Sequence, residues 1–218
     1  MFPFKVHIIE SPSPTDFLEG RQEGDALYRI LKLGGIAVTE PQTVITGDVF
    51  RKVIGDLTAH FTKAGMVPPL PILHISAHGD ENGIAFSAPN EILKWEDLGN
   101  ILQPLSAAIG GNLLVCMSSC YGHSGYKMAR RITTHPFHTL IGPTADIVWS
   151  DTLIAYSTFY HQLFSKSIDI PNAVTSMHTA SGLPAGTFQV IHGEDVRKGF
   201  LEAINKYIKD HILSPAPK

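Results

Sequence analysis

Short, almost wholly apolar runs alternate along this chain with stretches in which apolar residues recur every three or four positions. "FKVHIIE" (4–10) is β-rich and reads as a first strand. "SPSPTDFLEG" (11–20) follows as a polar loop, because its two prolines do not suit a helix interior. Ala26, Leu27, Ile30, Leu31 and Leu33 then recur at helical spacing, with Gly34-Gly35 as a stop. "IAVTE" (36–40) predicts a short second strand. Thr46 is placed to cap a helix whose apolar face is Val49, Phe50, Val53, Ile54, Leu57 and Phe61, ending at Gly65.

The third strand, "PLPILHISA" (69–77), is apolar almost throughout, as a strand covered on both faces should be. "HGDENGIAF" then turns, with Asn82-Gly83 as a hairpin signal. A helical stripe follows at Trp95, Leu98, Ile101, Leu102 and Leu105, then a fourth strand in "NLLVCMSS" (112–119). Ser124 is expected to cap a helix through Met128, Ala129 and Ile132. "HTLIG" (138–142) is the fifth strand. Ser150 is expected to cap a long helix bearing Leu153, Ile154, Tyr160, Leu163 and Phe164, and Pro171 suits the first turn of the next. "TFQVIH" (187–192) is the last strand, and Val196, Phe200, Ile204, Tyr207 and Ile208 mark the final helix.

Strands and helices alternating from end to end predict an α/β fold, a three-layer α/β/α sandwich on a mostly parallel sheet. With 218 residues and 44% hydrophobic content, one domain over 1–213 with a frayed tail "SPAPK" (214–218) is the economical division. The formal net charge of -3 and the scattered basic residues argue against nucleic acid as a partner. No apolar run reaches membrane-spanning length, and "MFPFKVHIIE" is too short and broken for a signal peptide, so the expectation is a cytoplasmic protein with no membrane partner. Cys116 and Cys120 stand four apart in extended chain, roughly 13 Å, too far for a disulfide. No cofactor motif is present, and no H-E-x-x-H spacing signals a zincin helix.

In parallel α/β sheets, functional residues gather at the carboxyl ends of the strands. His78 ends the third strand and Cys120 ends the fourth. A cysteine attacks as the thiolate, and its ordinary pKa near 8.5 leaves little of that form at neutral pH. A neighbouring imidazole can take the proton, and a helix start after Cys120 would favour the anion. Gly79 and Gly122 flank the pair, and the amides of Gly79 and Cys120 are candidates for an oxyanion hole. Zinc is the other chemical reading, through Cys116-x3-Cys120-x2-His123. Against it, Cys116 lies within an apolar run and no fourth ligand is in register. His74, inside the third strand, reads as a core residue or a support for the site.

At these residues the chain resembles the caspase-like cysteine peptidases of clan CD, most closely the CHAT branch that groups with separase. "ILHISAHG" is similar to the family's strand-His-Gly motif, which implies His78 as the catalytic histidine. "LLVCMSSCYG" is similar to its strand-Cys-Gly motif, which implies Cys120 as the nucleophile. "LIGPTADIVWSDTLIAYSTFYHQLF" resembles the CHAT segment after the cysteine. Caspases proper carry Gln-Ala-Cys-Arg-Gly, whereas Ser118, Ser119 and Tyr121 stand here for the Gln, Ala and Arg. The resemblance implies hydrolysis of a protein or peptide through a thioester acyl-enzyme. It also brings the expectation of a homodimer and, since no repeat domain accompanies the motifs, of a separate regulatory protein partner.

Two readings of substrate preference stay open. Arg21, in "EGRQEGDAL", falls where caspases place an arginine that binds an aspartate before the scissile bond. Asp146 and Asp151 fall where CHAT and separase-like members place an acid that favours arginine or lysine, and the closer resemblance is to those. An inactive scaffold, a non-peptidase cysteine hydrolase and a zinc-bound structural domain remain as rival functions.

Overall fold

The computed structural model describes residues 4–64, 69–89 and 91–210. The expected helix stop at Gly65 and the tail at 214–218 lie outside them. The chain runs β1 (Phe4–Ser11), α1 (Pro14–Leu18), α2 (Glu23–Leu33), β2 (Gln42–Thr43), α3 (Gly47–Ala64), β3 (Leu70–Gly79), β4 (Gly83–Ala85), β5 (Ile92–Lys94), α4 (Trp95–Ala108), β6 (Leu114–Ser118), β7 (Thr139–Pro143), α5 (Trp149–Tyr160), α6 (Ile170–Ser181), β8 (Phe188–His192) and α7 (Gly193–Ile208). The sheet order is β2-β1-β3-β6-β7-β8. All neighbours on this path are parallel except β8, which closes the edge antiparallel to β7. The Asn82-Gly83 turn folds β4 back on β3, pairing His78 with Ala85 and Gly79 with Ile84.

Alternation along the central strands divides their apolar residues between two cores. Leu73, Ile75, Ala77, Val115 and Met117 pack with Phe50, Ile54 and Phe61 of α3 and with Trp95, Leu98 and Leu102 of α4. Ile72, Leu114 and Cys116 face the other way, against Leu27 and Leu31 of α2, Tyr156 and Tyr160 of α5, and Met177 of α6. Burial on both faces is why β3 and β6 read as continuous apolar runs.

Four local expectations are corrected. Residues 11–20 are not all loop: Ser13 caps α1, accepting from Asp16 N–H while Asp16 accepts from Ser13 N–H, and Pro14 opens the first turn, where its missing donor costs nothing. "IAVTE" makes only an isolated bridge, Val6 to Val38, and β2 forms later, after Pro41 has interrupted the pairing. Ser124 caps no helix. A 3-10 segment, Gly122–Ala129, starts instead from Tyr121 in the left-handed region (φ 53°), and Ile132 is left exposed. Ser150 lies inside α5, whose first amides, those of Asp151 and Thr152, donate to Val148 O. Asp169 caps α6, with Pro171 in the first turn as expected.

Candidate active site

Parallel pairing of β3 and β6 sets Ser76 opposite Ser118. Two residues further along each chain come His78 and Cys120, so adjacent strand ends deliver both to one place. Both line a cavity of about 440 Å³ at the carboxyl end of the sheet, together with Asp16, Arg21, Ser119 and Trp149. The third and fourth strands of the sequence reading are thus neighbours in the sheet.

His78 is held from two sides. Its Nε2 lies 2.7 Å from Asp16 Oδ2, and its ring meets the Trp149 ring edge-on at 5.3 Å between centroids. Asp16 is almost fully buried. It accepts from the Ser13 hydroxyl at 2.6 Å and pairs with Arg21 at 3.2 Å. Burial raises its pKa, but the hydrogen bonds from Ser13 and His78 outweigh that and hold the carboxyl below its ordinary value. An ionised Asp16 accepts the Nε2 proton, which leaves Nδ1 of His78 as the ring's basic atom.

Beneath this pair the core is polar. His74, fully buried, sits between Glu23 Oε2 (3.3 Å) and the Tyr160 hydroxyl (3.2 Å). The Tyr156 hydroxyl donates to the carbonyls of Met117 and Ile141 at 3.0 Å each, tying α5 to β6 and β7. His74 is thus a core residue that supports the strand carrying His78.

Cys120 is partly exposed. Its thiol donates to Ile147 O at 3.5 Å, and its sulfur accepts from Ile147 N–H at 3.4 Å. Burial pushes the thiol pKa up; the Ile147 amide works against this, and the Asp146 carboxylate adds to it. The turn after Cys120 is fixed by Tyr121 N–H to Ala145 O (3.1 Å) and Gly122 N–H to Ser119 O (3.0 Å). Gly122 is required by packing: a Cβ there would meet Met117 O at 2.8 Å. At Gly79 a Cβ would meet Cys120 O at 3.0 Å, so the two candidate oxyanion amides belong to backbones in close approach.

The proposed specificity residues separate. Arg21 lines the cavity and is paired with Asp16 and Glu19. Asp146 is exposed, on the loop whose Ile147 contacts the Cys120 sulfur, and is not one of the cavity's lining residues. Asp151 lies in the first turn of α5 near Ser150 and is not one of the cavity's lining residues. The zinc arrangement does not form: Cys116 is fully buried in the core, and among the described residues no group of three or more His, Cys, Asp or Glu is arranged to hold a metal ion. Asp16 is the site residue that sequence reasoning missed. Its signal was Ser13-Pro14-Thr15-Asp16, the spacing of a capping box.

No family model matches the sequence, and no curated protein matches it. Solved structures do. Gingipain R, described as an Arg specific cysteine proteinase, superposes with a TM-score of 0.55 at 10% identity over 88% of this chain and 46% of its own. The chain therefore spans about half of gingipain R. The second match is drICE, with a TM-score of 0.52 at 12% identity over 88% of each chain. These likenesses show the fold: the chain has a caspase-like fold, with a mostly parallel central sheet.

Proposed function

We propose that this protein is a cysteine endopeptidase in which His78 and Cys120 hydrolyse peptide bonds through a thioester acyl-enzyme. The observation that carries the reading is the shared cavity: two adjacent strand ends bring a cysteine and a histidine together, and a buried carboxylate backs the histidine. His78 Nδ1 takes the thiol proton as sulfur attacks the scissile carbonyl, and Asp16 steadies the imidazolium. The amides of Gly79 and Cys120 are assigned to the oxyanion. His78 returns the proton to the leaving amine, and water then releases the acyl group.

We assign a basic residue before the scissile bond. Asp146, next to the Ile147 that contacts the sulfur, is assigned to read it, and Arg21 is already paired with two carboxylates. The neighbour described as an Arg specific proteinase accords with that preference. A CHAT- or separase-like kinship, a cytoplasmic setting, a regulatory partner and a homodimer belong to the same proposal.

The test is cleavage of a peptide library varied at the residue before the scissile bond, comparing wild type with Cys120→Ala and His78→Ala. The expected result is cleavage after Arg or Lys, lost in both variants. Cleavage after Asp would return the pocket to Arg21. Intact peptides alongside an alkylatable Cys120 would favour a binding module.

A further inference from the structure

Three consecutive residues, 147–149, line the cavity and touch both members of the pair. Ile147 holds the Cys120 sulfur through its amide at 3.4 Å and its carbonyl at 3.5 Å. The Trp149 ring lies 5.3 Å from the His78 ring, at 68°. Val148 between them is extended (φ -97°, ψ 152°), which spaces the two contacts by roughly 7 Å of backbone. Both ends of the segment are anchored. On one side Thr144 N–H donates to Thr187 O at 2.8 Å, and Ala145 O accepts from the Tyr121 amide at 3.1 Å. On the other, Val148 O accepts the first amides of α5, the Thr152 hydroxyl donates to Trp149 O at 3.0 Å, and Tyr156 ties the helix to β6 and β7.

The His78 ring needs such a neighbour. Its side chain is 47% exposed, so core packing does not hold it. A hydrogen bond at Nε2 to Asp16 fixes one atom and by itself leaves the ring free to pivot about it. The last torsion of a histidine is broad, and a pivot turns Nδ1 away from the sulfur. The indole edge restrains that pivot. Among the described residues, moreover, Cys120 gives its S–H to Ile147 O and shares no hydrogen bond with His78. The geometry of the pair is therefore set by what flanks it, and residues 147–149 flank both members.

We propose that Trp149 is a positioning residue, and that residues 147–149 act as a spacer fixing the imidazole against the sulfur. The inference rests on the peptidase reading, in which Nδ1 takes the thiol proton, and adds the group that keeps Nδ1 in line. Trp149 carries no charge and exchanges no proton. The charged groups about the sulfur come from other positions: His78 from β3, Asp16, Glu19 and Arg21 from α1 and the loop after it, and Asp146 and Asp151 on either side of the spacer. A substitution at Trp149 alters none of these charges, so a change in the sulfur's titration reports the placement of the imidazole.

Two readouts on the whole protein test this: steady-state cleavage of the best library peptide, and alkylation of Cys120 by iodoacetamide across roughly pH 6 to 10, scored by mass spectrometry. Trp149→Leu is expected to lower kcat by about 10- to 100-fold with KM within about twofold. It is also expected to raise the alkylation midpoint by about half a pH unit, about threefold slower reaction below the midpoint. Trp149→Phe, which keeps a ring, is expected to restore most of both. Val148→Gly, which frees the backbone between the two contacts, is expected to behave like Trp149→Leu, and Val148→Ala, which trims only the side chain, to cost far less. If Trp149→Leu does not fold, the Val148 pair decides: equal losses overturn the inference. So does a Trp149→Leu with unchanged kcat and midpoint, a loss confined to KM, or a Phe variant as impaired as the Leu variant. Normal cleavage by Trp149→Leu sinks the positioning role alone. The expected alkylation shifts without cleavage of any peptide by wild type uphold the positioning and sink the peptidase reading.

Discussion

The Nε2 atom of His78 lies 2.7 Å from Oδ2 of Asp16, across 62 residues of chain. The contact joins the end of a central strand to a helix of five residues, and in the proposed mechanism it leaves Nδ1 of His78 to serve the sulfur. Asp16→Asn keeps the shape but offers an amide where a carboxylate accepted a proton. It is expected to cut kcat by roughly a hundredfold or more. Ser13→Ala, which loosens only the cap, is expected to cost about 1 kcal/mol of stability with a far smaller loss of rate. Steady-state kinetics beside thermal melts separates the two. The carboxyl of Asp16 is held below its ordinary value, so its contribution is complete above the normal aspartate range and fades only as pH falls through the lowered value.

The two cysteines differ in reach. Cys116 is fully buried and its pKa is pushed up to about 12, whereas Cys120 is partly exposed at the cavity. Native protein is expected to take up one equivalent of iodoacetamide, at Cys120, and denatured protein two. Mass spectrometry of the labelled peptides reads this directly, and rapid native labelling of Cys116 would contradict the packing.

His7 sets an acid limit on stability. Burial, with Lys5 and His60 adding to it, lowers its pKa to about 4. The folded state therefore favours neutral His7, while the unfolded chain binds a proton from its ordinary value near 6.5 downward. Stability is expected to fall as pH drops from about 6.5 to about 4, by the order of 2–3 kcal/mol. His7→Gln is expected to flatten that slope in urea melts taken across the range.

Glycines make opposite predictions according to surroundings. A Cβ at Gly142, in β7, would lie 2.5 Å from the backbone of Gly122 and 2.7 Å from His123 N, so Gly142→Ala forces apart the strand and the turn after Cys120. A loss of about 1–3 kcal/mol, with reduced Cys120 reactivity, is expected. Gly55, in the exposed middle of α3, has nothing within 4 Å of a Cβ, and Gly55→Ala is expected to stabilise by roughly 0.5–1 kcal/mol. Equilibrium unfolding of both variants checks the contrast.

Much of this architecture is written locally. The apolar runs at 69–77 and 112–119 mark strands buried on both faces, and the helical stripes at Phe50, Ile54 and Phe61 or Leu98, Leu102 and Leu105 mark what covers them, because periodicity needs only neighbours in sequence. His78 and Cys120 were legible for the same reason, as chemistry-bearing residues at the ends of such strands. Boundaries that depend on distant packing were not legible. Ser124 and Ser150 resemble caps, yet the 3-10 segment starts where Gly122 must fit against Met117, and α5 starts where its first amides meet Val148 O.

What only the tertiary structure decided is which polar groups share a field. Asp16 lies in a stretch that reads as loop and becomes the partner of His78. Arg21 is drawn to two carboxylates, Ile147 comes to hold the sulfur through both its backbone polar groups, and Asp146 and Asp151 are both left off the cavity lining. Strand register and loop closure set those distances, and a Coulombic or hydrogen-bonding effect depends on distance in space, which residue order along the chain does not carry.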